Sequence, residues 1–359
     1  MRVKSLEGLR GISAVIVVAH HQLLTLPWFS NRLFQKVNTY GNRGSFNFSV
    51  PNLIEFSPAH IFYAGSEAVF VFFILSGYVL IFAVKKQELS KYLRARLIRL
   101  YFPIFGSVII ASFFLDLVNR VKQVGQSEWL QFHIIENSLS DMIKNLFVIA
   151  GTTNLNSSLW SMKYEILFSI LIIAFSRFNL SSNTVRFTLA QFFCFLTIFF
   201  GTTHHIFLLT YLAIFYSGVT LHLCPKKSKL VLLRLNLGIL ILLSPWYFYG
   251  FGYHLNQFFD TSLKVLGALL IVDACRVENS NISKFLDMNP INLLGRYSYS
   301  IYLVHAPILV TVWFALGNPS THLIWILHCC ISLFCIFLGS IVIYTFFEKP
   351  SLKFITRYK

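Results

Sequence analysis

Apolar runs long enough to cross a membrane recur along this chain from end to end, and no other feature constrains its fold as strongly. Spanning the hydrocarbon core takes roughly 17–25 mostly apolar residues in a helix. Backbone N–H and C=O groups there must be satisfied within the segment, which selects helices over irregular chain. Ten segments qualify, at approximately 11–27, 61–84, 98–118, 159–176, 187–203, 206–223, 235–250, 262–275, 297–316 and 322–347. A further apolar piece, 143–152, is too short to span and reads as re-entrant or surface-lying. Charge content agrees: Asp, Glu, Lys and Arg make up 12 % of the 359 residues, about half the share of a water-facing domain. A soluble enzyme, a disordered chain and a nucleic-acid binder are thereby excluded. The expected fold is all-α: a polytopic transmembrane helical bundle of about ten spans, forming a single domain over 1–359.

The formal charge is +16, from 30 Lys and Arg against 14 Asp and Glu. With the N-terminus in the cytoplasm and the spans alternating, 22 of the 30 basic residues fall in cytoplasmic segments, as the positive-inside rule requires. Both termini are therefore expected in the cytoplasm. The cluster Lys85, Lys86, Lys91, Arg94, Arg96 and Arg99 is denser than topology alone needs. The six cysteines lie almost wholly in apolar stretches without metal or redox spacing, and read as small buried hydrophobes. The first apolar run contains Arg10, His20 and His21 and lacks a small-residue cleavage site, so a retained span is expected rather than a signal peptide.

Ionisable residues inside spans each cost roughly 2.5–3.5 kcal/mol or more and are functional candidates by default. Arg10 and His21 are separated by about three helical turns, which sets them within about 20° of one face and roughly 16 Å apart along the axis. His20 is rotated about 80° from that face. The other reading of the pair is a histidine bonded to a carbonyl inside the bundle, with Arg10 serving topology. Glu165 is expected roughly 10 Å inside the fourth span from the outer face. Lys163, two residues away, does not share its helix face, so the carboxylate suits a histidine partner or a bound hydroxyl. Glu67 lies at the outer end of the second span and Asp116 at a span end; His305 lies about two turns into the ninth, before the kink site Pro307. Arg96 and Arg99 are i, i+3 neighbours that present two guanidinium forks on one face. They suit either a phosphate-rich cytosolic ligand or anionic lipid headgroups.

Taken in order, these residues resemble the acyltransferase-3 family of integral membrane acyltransferases. Leu6-Glu7-Gly8-Leu9-Arg10-Gly11 through His21 resembles its Arg-x10-His signature, and Ala68 through Phe72-Phe73-Ile74-Leu75-Ser76-Gly77-Tyr78 its second span. Arg96-Leu97-Ile98-Arg99 through Pro103 is similar to its third-span motif, and Ser158-Leu159-Trp160-Ser161 with Glu165 to its SLWS segment. Leu294-Gly295-Arg296-Tyr297-Ser298-Tyr299-Ser300-Ile301-Tyr302-Leu303-Val304-His305-Ala306-Pro307 and the tail Phe347-Glu348-Lys349-Pro350 complete the series. Two features depart from the pattern: the His20-His21 doublet, and Lys163, Tyr164 and Ile166 around Glu165. The chain stops soon after Pro350, so the esterase-like domain fused to some relatives is not expected.

The resemblance implies transfer of an acyl group, usually acetyl, from cytosolic acyl-CoA to a hydroxyl of a surface polysaccharide or lipid-linked glycan precursor, in a bacterial inner membrane. It implies His21 and Glu165 as catalytic residues, and Arg10, Arg96 and Arg99 as holders of the CoA phosphates. Trp160, Ser161 and His305 would contact the acceptor, membrane lipids would surround the bundle, and neither metal nor nucleic acid is called for. His21 would be a general base or the group that carries the acyl, and Glu165 would orient His21 or bind the sugar. The alternative is a transporter or flippase that uses Arg10, His21 and Glu165 as an intramembrane relay, although no inverted repeat is visible.

Overall fold

The computed structural model describes residues 4–33, 56–118, 126–134, 138–149, 155–176, 183–251, 253 and 255–357. Helices account for nearly all of them, and no strand occurs among the described residues. In chain order they are α1 (Lys4–Leu24), α2 (Pro27–Leu33), α3 (Gly65–Lys86), α4 (Leu89–Asp116), α5 (Glu128–Phe132), α6 (Leu139–Leu146), α7 (Leu159–Ser176) and α8 (Thr184–Thr203). There follow α9 (Phe207–Thr220), α10 (Val231–Gly250), α11 (Gln257–Cys275), α12 (Asn281–Leu286), α13 (Asn289–Leu316), α14 (His322–Ile343) and α15 (Lys349–Arg357). Their starts follow local chemistry. Ser127, Ser138, Asn183, Asn256, Ser280 and Thr321 each accept a first-turn N–H, which satisfies donors that the helix itself cannot.

Among the described residues, six helical segments are long and apolar enough to cross a bilayer: α3, α4, α8, α10, α13 and the run His322–Phe354. The remaining expected spans differ in composition or length. The helix from Phe207 is shorter, α1 carries Lys4, Glu7 and Arg10, α7 carries Lys163 and Glu165, and α11 carries Asp260, Lys264 and Asp273. Segment 143–152 contributes the end of the short α6, and its last three residues lie outside the described ones. So do Arg2, Arg177 and Lys359 of the expected cytoplasmic charges. Apolar side chains cover the outside of the chain: Leu189, Phe192, Phe193 and Phe200 on α8, and Leu327 and Phe334 on α14, are exposed, as lipid-facing surfaces require.

The chain divides into two compact units, one of residues 1–17, 40–89 and 168–296, the other of 18–39, 90–167 and 297–359. In the first, α3 and α9 cross at a reciprocal pair of glycines. A Cβ on Gly77 would lie 2.1 Å from the carbonyl oxygen of Phe215, and one on Gly218 would lie 2.0 Å from that of Ile74. Small residues that let backbones approach in this way replace the hydrophobic drive that lipid abolishes. Gly218→Ala should therefore destabilise the protein by about 1–3 kcal/mol or more; an unchanged melting temperature in detergent would refute the contact. Gly11 and Gly295 meet in the same manner, with a Cβ on Gly295 falling 2.4 Å from the carbonyl oxygen of Glu7.

Charges buried in this unit are paired. Glu67 accepts from Trp246 Nε1 at 2.8 Å and pairs with Lys264 at 3.2 Å, which also reaches Asp260 at 3.1 Å. Arg276 is 1 % exposed and bonds Asp273 and the carbonyls of Leu221 and Cys224; Arg234 also bonds Asp273. Both arginines count as topological charges by position, yet they hold the 221–234 connection against the end of α11.

In the second unit, α13 continues through Pro307. Proline lacks the N–H that would bond the carbonyl four residues earlier, at Leu303, and the side chain of Asn156 supplies it from Nδ2 at 2.8 Å. A π-turn over Tyr344–Glu348 joins α14 to α15, bringing Glu348 within 2.6 Å of its hydrogen-bond donor Ser300 Oγ.

Candidate functional site

The candidate site belongs to the second unit and is built from the end of α1, from α4, α5 and α13, and from the opening of α7. At one level Arg96 on α4 donates to Glu165 on α7 across 2.6 Å, with both side chains largely buried (10 % and 12 % exposed). Farther along, Ser161 and Tyr302 share a hydrogen bond of 2.7 Å. Farther still, Asn156 Nδ2 reaches Ser107 Oγ at 3.4 Å as well as Leu303. Contacts that climb α4 from 96 to 107 thus descend the other chain from 165 to 156, so α7 runs antiparallel to α4. The step from Arg96 to Ser107 is about 16 Å along the axis.

This register sets the start of α7 beside the middle of α4 and α13, where Asn156 and Ser158 are buried. Glu165, level with Arg96, is about 30 Å along the axis from the Asp116 end of α4. Backbone can turn at that depth because it is enclosed by protein. Asn156 Oδ1 accepts from both the N–H and the hydroxyl of Ser158.

The histidines gather at the Asn156 level. The ring of His21 lies 4.8 Å from that of His305 and 5.5 Å from that of Trp129. His20 points to Phe29, at 6.1 Å. The two histidines of the doublet thus have different ring neighbours, although His20 also lies within electrostatic reach of His305. His305 donates from Nδ1 to the carbonyl of Tyr302 at 2.7 Å, because a carbonyl can only accept. Its Nε2 is then an acceptor, and that atom is buried without a hydrogen-bond partner among the described residues. Trp129 is held by its own N–H, which donates to Ser30 Oγ at 2.9 Å. Behind it, His133 bonds the Trp129 carbonyl through Nδ1 at 2.8 Å and Ser157 Oγ through Nε2 at 3.0 Å.

Other expected site residues separate by position. Ser161 faces inward to Tyr302, whereas its neighbour Trp160 is 38 % exposed and edges against Tyr164. Arg99, one turn beyond Arg96, is half-buried. Arg10 falls in the first unit, with its Nε buried and without a hydrogen-bond partner among the described residues. Ser161 and Glu165 flank one turn of α7 while Tyr302 and His305 flank one turn of α13. The Ser161–Tyr302 bond therefore sits between Glu165 and His305, which are about 10 Å apart along the axes. Trp129, His133, Asn156 and Ser157 are absent from the sequence-based set. The signal that could have found two of them is Ser127 as an N-cap followed by Trp129 and His133 at i, i+4 spacing.

The acyltransferase-3 family model, described as an acyltransferase domain, matches residues 3–345. Over 130 residues the chain is 28 % identical to "O-acetyltransferase PaAT-1" of Phomopsis amygdali, a stretch that covers 34 % of this chain and 24 % of the relative. The match thus spans about a quarter of that relative's length. No solved structure matches the chain. A family match from residue 3 to residue 345, with the signature histidine seated in a cluster of buried polar groups, establishes that the chain belongs to the acyltransferase-3 family.

Proposed function

We propose that this protein is a membrane-embedded O-acyltransferase of the bacterial inner membrane. It moves an acyl group, acetyl in the simplest case, from cytosolic acyl-CoA to a hydroxyl of a surface polysaccharide or lipid-linked glycan precursor. The observation that carries the reading is the cluster of half-buried His21 with buried His305 and Trp129, set about 16 Å along α4 from Arg96 and about 12 Å from Arg99. That separation is within reach of an extended pantetheine arm. Arg96 and Arg99 hold the donor phosphates by charge-assisted hydrogen bonds, and Arg10 is assigned to the same donor on its helical phase with His21. Glu165 fixes the Arg96 guanidinium through their ion pair.

The thioester then lies at the histidine level, where the acceptor meets it. His21 removes the acceptor hydroxyl proton as general base, and the Nε2 lone pair of His305 orients the acceptor by taking a hydrogen bond from a second hydroxyl. Ser161 and Trp160 line the approach, and the whole chain acts as one catalytic domain. The relative's O-acetyltransferase name favours an oxygen acceptor.

The test is turnover in detergent, without any gradient. Purified protein supplied with acetyl-CoA and a solubilised glycan acceptor should release free CoA and add one acetyl mass to the glycan. Absence of both, from protein with a cooperative melting transition, would overturn the acyltransferase reading in favour of a transport function.

A further inference from the structure

The geometry points to Ser157 as a covalent acyl station, activated by His133, through which the acyl group passes before it reaches the acceptor. The inference deepens the acyltransferase reading and rests on it. Ser157 and His133 form a dyad whose proton positions are determined. The carbonyl of Trp129 lies 2.8 Å from His133 Nδ1 and can only accept, so Nδ1 carries the hydrogen. Nε2 is then the lone pair, and Ser157 Oγ, 3.0 Å away, donates to it. A seryl hydroxyl aimed at an imidazole nitrogen whose other nitrogen is anchored is the arrangement that turns a weak nucleophile into a usable one.

Neighbouring hydroxyls are arranged otherwise. Ser158 donates to Asn156 and Ser161 shares its hydrogen with Tyr302, both inside the packed turn. Ser157 is partly exposed while His133 behind it is buried. Trp129 links the dyad to the proposed acceptor base, with its ring 4.6 Å from that of His133 and 5.5 Å from that of His21. Ser157 also lies two residues before the opening of α7, whose positive end favours a developing oxyanion.

The step balances with an acyl thioester and an alcohol alone. Ser157 Oγ attacks the thioester carbonyl while its proton passes to His133 Nε2. The C–S bond breaks as the serine ester C–O bond forms, and the leaving thiolate takes the proton from His133. The acceptor hydroxyl then attacks the ester and gives its proton to His21. The C–Oγ bond breaks, and the proton that His21 took from the acceptor returns by way of solvent and His133 Nε2 to Ser157 Oγ, which leaves both histidines neutral.

The experiment uses the purified full chain and radiolabelled acetyl-CoA without acceptor, followed by acid quenching and mass spectrometry of the peptide that contains Ser157. The expected result is a burst of one CoA per protein with an acetyl ester on Ser157, chased off when acceptor is added. Ser157→Ala should lose the burst, and Ser157→Cys should trap the acetyl as a thioester cleaved by neutral hydroxylamine. Wild-type protein that acetylates acceptor without an ester at Ser157 would overturn the station and leave the acyltransferase reading intact, as would full turnover by Ser157→Ala. Wild-type protein that releases no CoA under any condition would overturn both.

Discussion

His21→Ala is expected to lower acyl transfer by about 10²–10⁴-fold, the range that general acid–base catalysis contributes, whereas His20→Ala should keep most of it. The two histidines are adjacent in α1, so orientation separates them. His21 faces His305 at 4.8 Å and Trp129 at 5.5 Å, while His20 edges against Phe29. His305→Ala should fall between the two and raise the KM for acceptor more than it lowers kcat, because its Nε2 is assigned to hold a hydroxyl. Initial rates of CoA release with acceptor present check all three, with equal membrane insertion shown for each variant. Equal loss from His20→Ala and His21→Ala, or survival of activity in His21→Ala, would refute the assignment.

The spans with uninterrupted apolar runs were legible because period and length alone define a helix that lipid can surround. Where charges enter a helix, as Asp260 does in α11, the apolar run read from sequence (262–275) starts later than the helix (Gln257–Cys275), and the reason is pairing. Lys264 lies in α11 because Glu67 and Asp260 neutralise it, which a linear reading cannot see across so many residues. The packing of the α7 start was illegible for a related cause. A loop is assumed to lie outside, but the Asn156 amide matches the carbonyl that Pro307 frees at Leu303, and one such bond lets the chain turn within the bundle. The proline was noted as a kink site, yet the helix runs through it. His21 was singled out by its helix phase with Arg10. Its companions Trp129 and His133 were not, since a helix of five residues, Glu128–Phe132, carries no detectable period.

Arg96 and Glu165, assigned from sequence to different tasks, form one pair in the structure, and separating stability from donor binding tests what the pair is for. Removing one partner of a buried ion pair leaves an uncompensated charge and costs about 3–5 kcal/mol when burial is complete; the residual exposure here places the expected loss for Glu165→Ala near the lower end. Arg96→Ala removes a donor contact as well. It should raise the KM for acyl-CoA roughly ten- to hundred-fold, corresponding to about 1.5–3 kcal/mol for a hydrogen bond to a charged group. In the double variant Arg96→Ala with Glu165→Ala, no buried charge is left alone, so the melting temperature should rise above that of Glu165→Ala. Donor affinity should not recover, because the guanidinium that holds the phosphate is still missing. Arg99→Ala should weaken donor binding without the stability loss, since it leaves the pair in place. If acyl-CoA affinity is unchanged in both Arg96→Ala and Arg99→Ala while the stability pattern holds, the pair is a structural clamp and the phosphates bind elsewhere.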